Sequence, residues 1–180
     1  MVFDYYKRLT ASEKRVYRKS DEVTSVKLPK AAELHPLIEK LDTALVKEMR
    51  EEVEALCQKL ASSIAERLNA PEIKVKVLAV RPHKSYGELH GLYVPAERLI
   101  PATITVWMRT AQRKRIVAFR TFLRTLLHEL CHHIDYELLG LSYSFHTEGF
   151  YKRESSLFHQ LVIKEKEEVR GQGVKGLSMP

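Results

Sequence analysis

Two cysteines in 180 residues, Cys57 and Cys131, are too few and too far apart for a disulfide framework, so this chain must be stabilised by burial rather than by cross-links. No apolar run approaches the ~20 residues needed to span a bilayer. The first residues, Met1-Val2-Phe3-Asp4-Tyr5-Tyr6-Lys7-Arg8, lack the basic-then-apolar order of a secretory signal. Together these absences predict a cytoplasmic protein with reduced, buried cysteines and no membrane partner. Repeats and low-complexity segments are also missing. At 44% hydrophobic and 29% charged residues, the chain has the material for one domain with a real core.

Positive charge is in excess: 30 Lys and Arg against 23 Asp and Glu give a net charge of +7. Such a balance favours an anionic partner, nucleic acid or an acidic region of a protein. No nucleic-acid motif accompanies it, so the charge alone does not choose between them.

Residues 1–33 mix charges with scattered apolar positions and read as an N-terminal arm, with a short helix over Thr10 to Lys19 before Leu28-Pro29. From Leu34 to Leu68, apolar residues at Leu37, Leu41, Leu45, Met49, Val53, Leu56, Leu60, Ile64 and Leu68 recur at three- and four-residue steps, which predicts one long amphipathic helix. Asn69-Ala70-Pro71 ends it. Ile73 to Val80 then alternates as a strand does, and further strands are expected near Glu88 to Val94 and at Thr103 to Arg109. A helix from about Arg113 to Leu139 follows, stopped by Gly140, and a last helix from about Thr147 to Val169. Residues 171–180 read as a flexible tail, which leaves 34–170 as the domain proper.

Inside the Arg113 to Leu139 helix stands His128-Glu129-Leu130-Cys131-His132. Positions four apart on a helix lie one turn above each other, so two imidazoles at this spacing can reach one metal ion. With eight histidines in the chain, an HExxH arising by accident is an event on the order of a few per cent. Phe119, Phe122, Leu123, Leu126, Leu130 and Ile134 occupy one side of the helix, with Thr121, Arg124, Thr125, His128, His132 and Asp135 opposite. The histidines therefore project from a helix anchored by its apolar face. Zinc favours four ligands, so two histidines call for a third protein ligand and leave one place for water. Glu129, about 100° round the helix from His128, sits beside the metal, where it can take a proton from that zinc-bound water. The implied chemistry is hydrolysis, most often of peptide bonds.

Downstream candidates for the third ligand are Asp135, His146, Glu154 and His159. His146 follows a short loop after Gly140 and is favoured. Glu154, two turns into the next helix, is the alternative. Asp135 is too close to His132 to reach round the ion and is expected to orient a histidine at most.

The segment His128 to His132, followed by Ser144-Phe145-His146-Thr147-Glu148-Gly149-Phe150, resembles the SprT-like and related small zincin metallopeptidases, in which a third histidine follows HExxH after a short loop with an aromatic four residues later. The resemblance covers Ile73 to Leu161. It implies that His128, His132 and His146 bind one zinc ion, and that the strand containing Trp107 is the edge strand that pairs with an extended peptide substrate. Two isolated cysteines cannot form the separate zinc ribbon that many of these proteins carry.

Around the motif, Arg120 and Arg124 could hold a substrate carboxylate or backbone, or simply form ion pairs. Tyr136, Tyr143 and Tyr151 are candidates to steady an oxyanion, Tyr143 foremost. His133 is expected to be a satisfied core histidine and Cys131 a small packed residue, while His35, His83, His90 and His159 show no metal spacing among themselves. The expected protein is an α+β zincin-like single domain, with a small three- or four-stranded, mainly antiparallel sheet, a long N-terminal helix, an active-site helix and a C-terminal helix. Its expected activity is zinc-dependent hydrolysis of a protein or peptide, with Glu129 as base and then proton donor. The alternative is a zinc-stabilised module that binds nucleic acid or protein without turnover.

Overall fold

Ile73, Val75 and Val77 are buried while Lys74, Lys76 and Leu78 between them are exposed, the two-residue period of a strand that covers a core on one face only. In the computed structural model, which describes residues 3–84 and 87–162, this strand is β1 (Ile73–Val80). Before it come α1 (Ala11–Glu22), α2 (His35–Val46) and α3 (Arg50–Leu68). After it come β2 (His83–Lys84), β3 (Gly87–Glu88), β4 (Gly91–Val94), β5 (Ala102–Arg109), α4 (Phe119–Glu137) and α5 (Glu148–Leu161). The architecture is α+β. β1, β5 and β4 form a three-stranded sheet in that order, and β2 with β3 forms a separate small hairpin. α3 packs on β1, and α4 on β4 and β5. No helix among the described residues is long and apolar enough to cross a membrane.

The sheet is mixed, which corrects the expectation of a mainly antiparallel one. β1 pairs β5 in parallel from Ile73–Ala102 to Val80–Arg109, and only the β4–β5 pair is antiparallel. The chain leaves β1, forms the hairpin and β4, and re-enters the sheet between them, so β5 runs in the direction of β1. Consequently the strand with Trp107 is central, and the free edge belongs to β4.

Three boundaries also differ from expectation. The long helix is broken in two: Glu48 adopts a left-handed conformation at φ 58°, and Met49 N–H turns back to the Ala44 carbonyl at 3.1 Å. Folding α2 against α3 buries Leu41 and Leu45 together with Val53, Cys57 and Leu60, which a straight rod would not. The strand expected over Glu88 to Val94 is interrupted, because Glu88 is drawn aside to accept from Ala111 N–H at 3.2 Å and from Arg81 at 3.4 Å. Finally, α4 begins six residues later than Arg113, since residues 110–117 fold back along β5 through Val117 N–H to Met108 O at 2.8 Å and Thr110 N–H to Arg115 O at 2.9 Å. The last helix ends at Leu161, where Val162 turns extended at φ −105° and ψ 119°, short of the expected Val169; residues 163–169 and the tail expected at 171–180 lie outside the described residues.

β1 is the other edge of the sheet, and α3 closes it with side chains. Gln58 donates to Ile73 O and accepts from Val75 N–H, both at 2.8 Å. Glu54 accepts from Val77 N–H at 2.7 Å, and Arg50 donates to Val77 O at 3.2 Å. Residues four apart on a helix share a face, so Arg50, Glu54 and Gln58 lie along the strand as a substitute partner. Because both Gln58 bonds saturate backbone groups that a truncated side chain would strand, Gln58→Ala should cost about 1–3 kcal/mol, read as a lower midpoint in urea unfolding.

Candidate metal centre

Helix α4 is fixed by its buried side chains Phe122, Leu123, Leu126, Leu127, Leu130 and Ile134, and this sets the direction of everything on its opposite face. That face, with Thr121, Arg124, Thr125, His128, His132 and Tyr136, floors a cleft of about 730 Å³. One wall is Glu88 to Tyr93 with Pro95, and the other carries Tyr143, His146 and Glu154. No residue of the N-terminal arm lines it among the described residues.

The three expected histidines converge in this cleft. His146 Nε2 lies 3.0 Å from His128 Nε2 and 3.1 Å from His132 Nε2, and the three ligand nitrogens all fall within 4.8 Å of one another. Nitrogens bound tetrahedrally to zinc at 2.0–2.1 Å are roughly 3.3 Å apart, so the cluster fits that ion with little adjustment. Burial, reinforced by His128 and His146, pushes His132 down to about 3. Burial and His128 likewise depress His146, against the pull of Glu154. Both rings are therefore neutral at pH 7, with lone pairs available to a cation.

Each α4 histidine is held through its other nitrogen. Glu154 Oε2 accepts from His128 Nδ1 at 3.1 Å, while its Oε1 takes Arg124 Nη1 at 3.1 Å. Glu154, weighed as third ligand, thus stands behind His128. Burial raises its carboxyl, but the His128 and Arg124 contacts more than offset this and leave it lowered. His132 Nδ1 lies 2.7 Å from Ser144 Oγ, which donates to Asp135 Oδ2 at 3.0 Å. A hydroxyl that donates to a carboxylate can only accept from the imidazole, so His132 carries its proton on Nδ1 and turns its Nε2 lone pair to the cleft. Ser144 sits at φ 40°, a strained conformation for a residue with a side chain, in the middle of this chain of bonds.

Asp135 is in turn paired with Arg153 at 2.9 Å, and both side chains are completely buried. Arg153 also donates to the Ser20 carbonyl at 2.7 Å, the Val23 carbonyl at 2.5 Å and Ser20 Oγ at 3.0 Å. The arm is bound to α5 and the loop before it as well: Tyr5 donates to His146 O at 3.0 Å, Lys19 to Leu139 O at 2.8 Å, and Gly149 N–H in the first turn of α5 to Asp21 at 2.9 Å. A Cβ on Gly149 would overlap the Ser20 carbonyl, so this close approach of α1 and α5 requires glycine.

Glu129 is 7% exposed and lies under β4, where a Cβ on Gly91 would overlap its Oε1. Burial pushes its carboxyl up to about 7, against the opposing effects of His128 and the Tyr93 amide. Tyr93 stacks on His132 at 6.1 Å and sets its hydroxyl 3.2 Å from His133 Nδ1, while His133 Nε2 meets Pro71 O at 2.9 Å. Cys131 is fully buried. Tyr136 and Tyr143 line the cleft, and Tyr143, half exposed, stacks on Phe145 at 5.4 Å. The Tyr151 ring lies 6.2 Å from that of His128 and 6.0 Å from that of His146. His35 and His159 bond elsewhere on α5, to Gln160 O and Ser155.

Ser144, Arg153, Gly91 and Tyr5 are site residues that the spacing argument did not single out. Arg153 had a signal: with Glu154 it falls on the α5 stripe of Phe150, Leu157, Phe158 and Leu161, where a charge must be buried or paired.

Ser144→Ala should keep the fold yet weaken zinc binding about tenfold, measured by competition with a chelator, because His132 loses the bond that fixes its tautomer. A second expectation concerns pH. The Glu129 carboxyl rises from 4.5 to about 7 on folding, so the metal-free fold loses stability as pH climbs through that window and stays weaker above it. Metal-free Glu129→Gln should therefore exceed wild type by on the order of 2 kcal/mol at pH 8, with no such gain below pH 4.5, in parallel denaturation series. Comparison with protein-family models, with curated proteins and with solved structures returns no match to this chain.

Proposed function

We propose that this chain is a zinc-dependent metallopeptidase, of the SprT-like or a related small zincin type, that hydrolyses peptide bonds in an extended protein segment. What carries the reading is one juxtaposition: three convergent imidazole nitrogens, a buried carboxylate beside them, and a free strand edge running over both. A closed structural metal site needs neither of the last two.

His128, His132 and His146 would hold the ion. When bound, zinc supplies Lewis acidity, polarising a carbonyl and making water a stronger acid. Glu129 takes the proton of the attacking water on its carboxylate and delivers it to the departing amide nitrogen, so the base is regenerated as a neutral amine leaves. A carboxyl with an ordinary value near 4.5 would be a poor donor in the second step. Burial, which raises it, suits the double role. β4 is the free edge of the sheet, where an extended substrate can pair, and Tyr143 is the proposed donor to the developing oxyanion. Gly91 lets β4 itself pass directly above Glu129.

Metal content and cleavage of an unfolded protein, measured side by side on four proteins, test this. Wild type should hold one equivalent of zinc and cleave. His146→Ala should lose the zinc, Glu154→Ala should keep it with weakened affinity, and Glu129→Gln should keep it while cleaving about 10²–10⁴-fold more slowly. Wild type without zinc, or Glu129→Gln as active as wild type, would sink the proposal.

A further inference from the structure

The two ends of the cleft differ chemically. Gly91 lies against Glu129 and Tyr93 against His132, His133 and Tyr136, so β4 and α4 run through the site in the same direction. Towards the C-termini of both, the cleft is walled by Pro95, Tyr136 and Tyr143; towards their N-termini, by Thr121, Arg124 and Thr125 on α4 and by Leu89, His90 and Glu88, the last paired with Arg81, on the opposite wall. A peptide that pairs with β4 in the antiparallel sense, the slightly more stable of the two, runs opposite to both elements. Its residues before the scissile bond then meet the tyrosines, and those after it meet Arg124.

We propose that Arg124 sets substrate preference by binding a carboxylate on the residue that follows the scissile bond, either an Asp or Glu side chain or the terminal carboxylate of the substrate. The proposal rests on the peptidase reading above. Arg124 stands one helical turn, about 5.4 Å, before His128, within reach of the first residue beyond a carbonyl placed at the three histidines. Its guanidinium is already in place: the central carbon lies 4.0 Å from the centre of the Phe158 ring, and Nη1 donates to Glu154. Holding a carboxylate there therefore costs little side-chain ordering. Glu154 also lines the cleft and offsets part of this charge, but it leaves the guanidinium the more exposed partner. Both its oxygens are engaged, on Arg124 and on His128, and its side chain is 11% exposed against 39% for Arg124. Of the five guanidinium donors, the bond to Glu154 uses one. Among the described residues no other carboxylate lies within ion-pair distance of Arg124. Arg120, one turn earlier and 5.1 Å from the same ring, adds positive potential at this end.

The test uses small hydroxamates in which the metal-binding group replaces the scissile carbonyl and is followed by one residue: Glu, Gln or Leu as the amide, or Leu as the free acid. Dissociation constants are measured calorimetrically on zinc-loaded wild type, Arg124→Gln and Arg124→Lys, with no turnover involved. The Glu amide should bind wild type about three- to tenfold more tightly than the Gln amide, with the advantage shrinking in high salt. Arg124→Gln should abolish that ratio, read between the Glu and Gln amides on the variant itself, and Arg124→Lys should restore part of it. A matching advantage of the free acid over the Leu amide assigns the carboxylate to a chain terminus; its absence assigns it to a side chain. Equal binding of the Glu and Gln amides, with the Leu amide still bound, overturns the role of Arg124 and leaves the metal site standing. Failure of every hydroxamate to bind zinc-loaded wild type overturns both.

Discussion

A buried ion pair, Arg153 with Asp135, is the contact on which the rest of the site depends. Neither side chain touches solvent. Removing one partner from such a pair typically costs about 3–5 kcal/mol, because the other is left charged and dry. Here the loss would spread further. Arg153 gathers the end of α1 through two carbonyls and a hydroxyl, and Asp135 passes the constraint through Ser144 to the ring of His132. Helices α1, α4 and α5 and the loop carrying His146 are joined at one point, several bonds from where a metal would sit. The N-terminal segment, which composition alone presents as an appendage, is on this account part of the scaffold of the centre.

The helix with the metal motif was the most legible part of the sequence. HExxH carries its own geometry, and the apolar row opposite the histidines specifies which way they point. His146 was reachable because a short loop after Gly140 limits where the chain can go. Other features were not reachable by periodicity. Lys47, Glu48 and Met49 are good helix formers, and the break among them follows from the packing of α2 on α3, a tertiary effect invisible to local propensity. Sheet order is equally non-local: alternation identifies a strand without saying which neighbour it takes, so the central place of β5 could not be read from Trp107. The supporting shell was half legible. Arg153 and Glu154 stand out as charges on an apolar stripe, but a serine in a loop gives no hint that it will hold a histidine.

Electrostatics in the cleft is arranged by burial more than by charge pairing. The same withdrawal from water keeps His132 neutral and raises Glu129, so two groups are brought to useful protonation states by one cause. Glu154 is the exception. It is held below the usual carboxylate range by the two cations or potential cations it touches, and so remains an acceptor for His128. Donor nitrogens and their supporting carboxylates are thereby kept in distinct states within a few ångströms.

The sheet has two edges, and they have been treated in opposite ways. Along β1 the Ile73 and Val77 carbonyls and the Val75 and Val77 amides are taken by Arg50, Glu54 and Gln58, so these groups are closed to a foreign strand. Along β4 no further strand pairs among the described residues, although the Tyr93 amide is turned to Glu129. Open edges ordinarily recruit other unfolded chains and seed aggregation. On the proposed function, the adhesive edge of this protein lies above its own hydrolytic group, so a misfolded neighbour that docks there arrives as something to be cut, and the surface most prone to clumping is also the one equipped to clear itself.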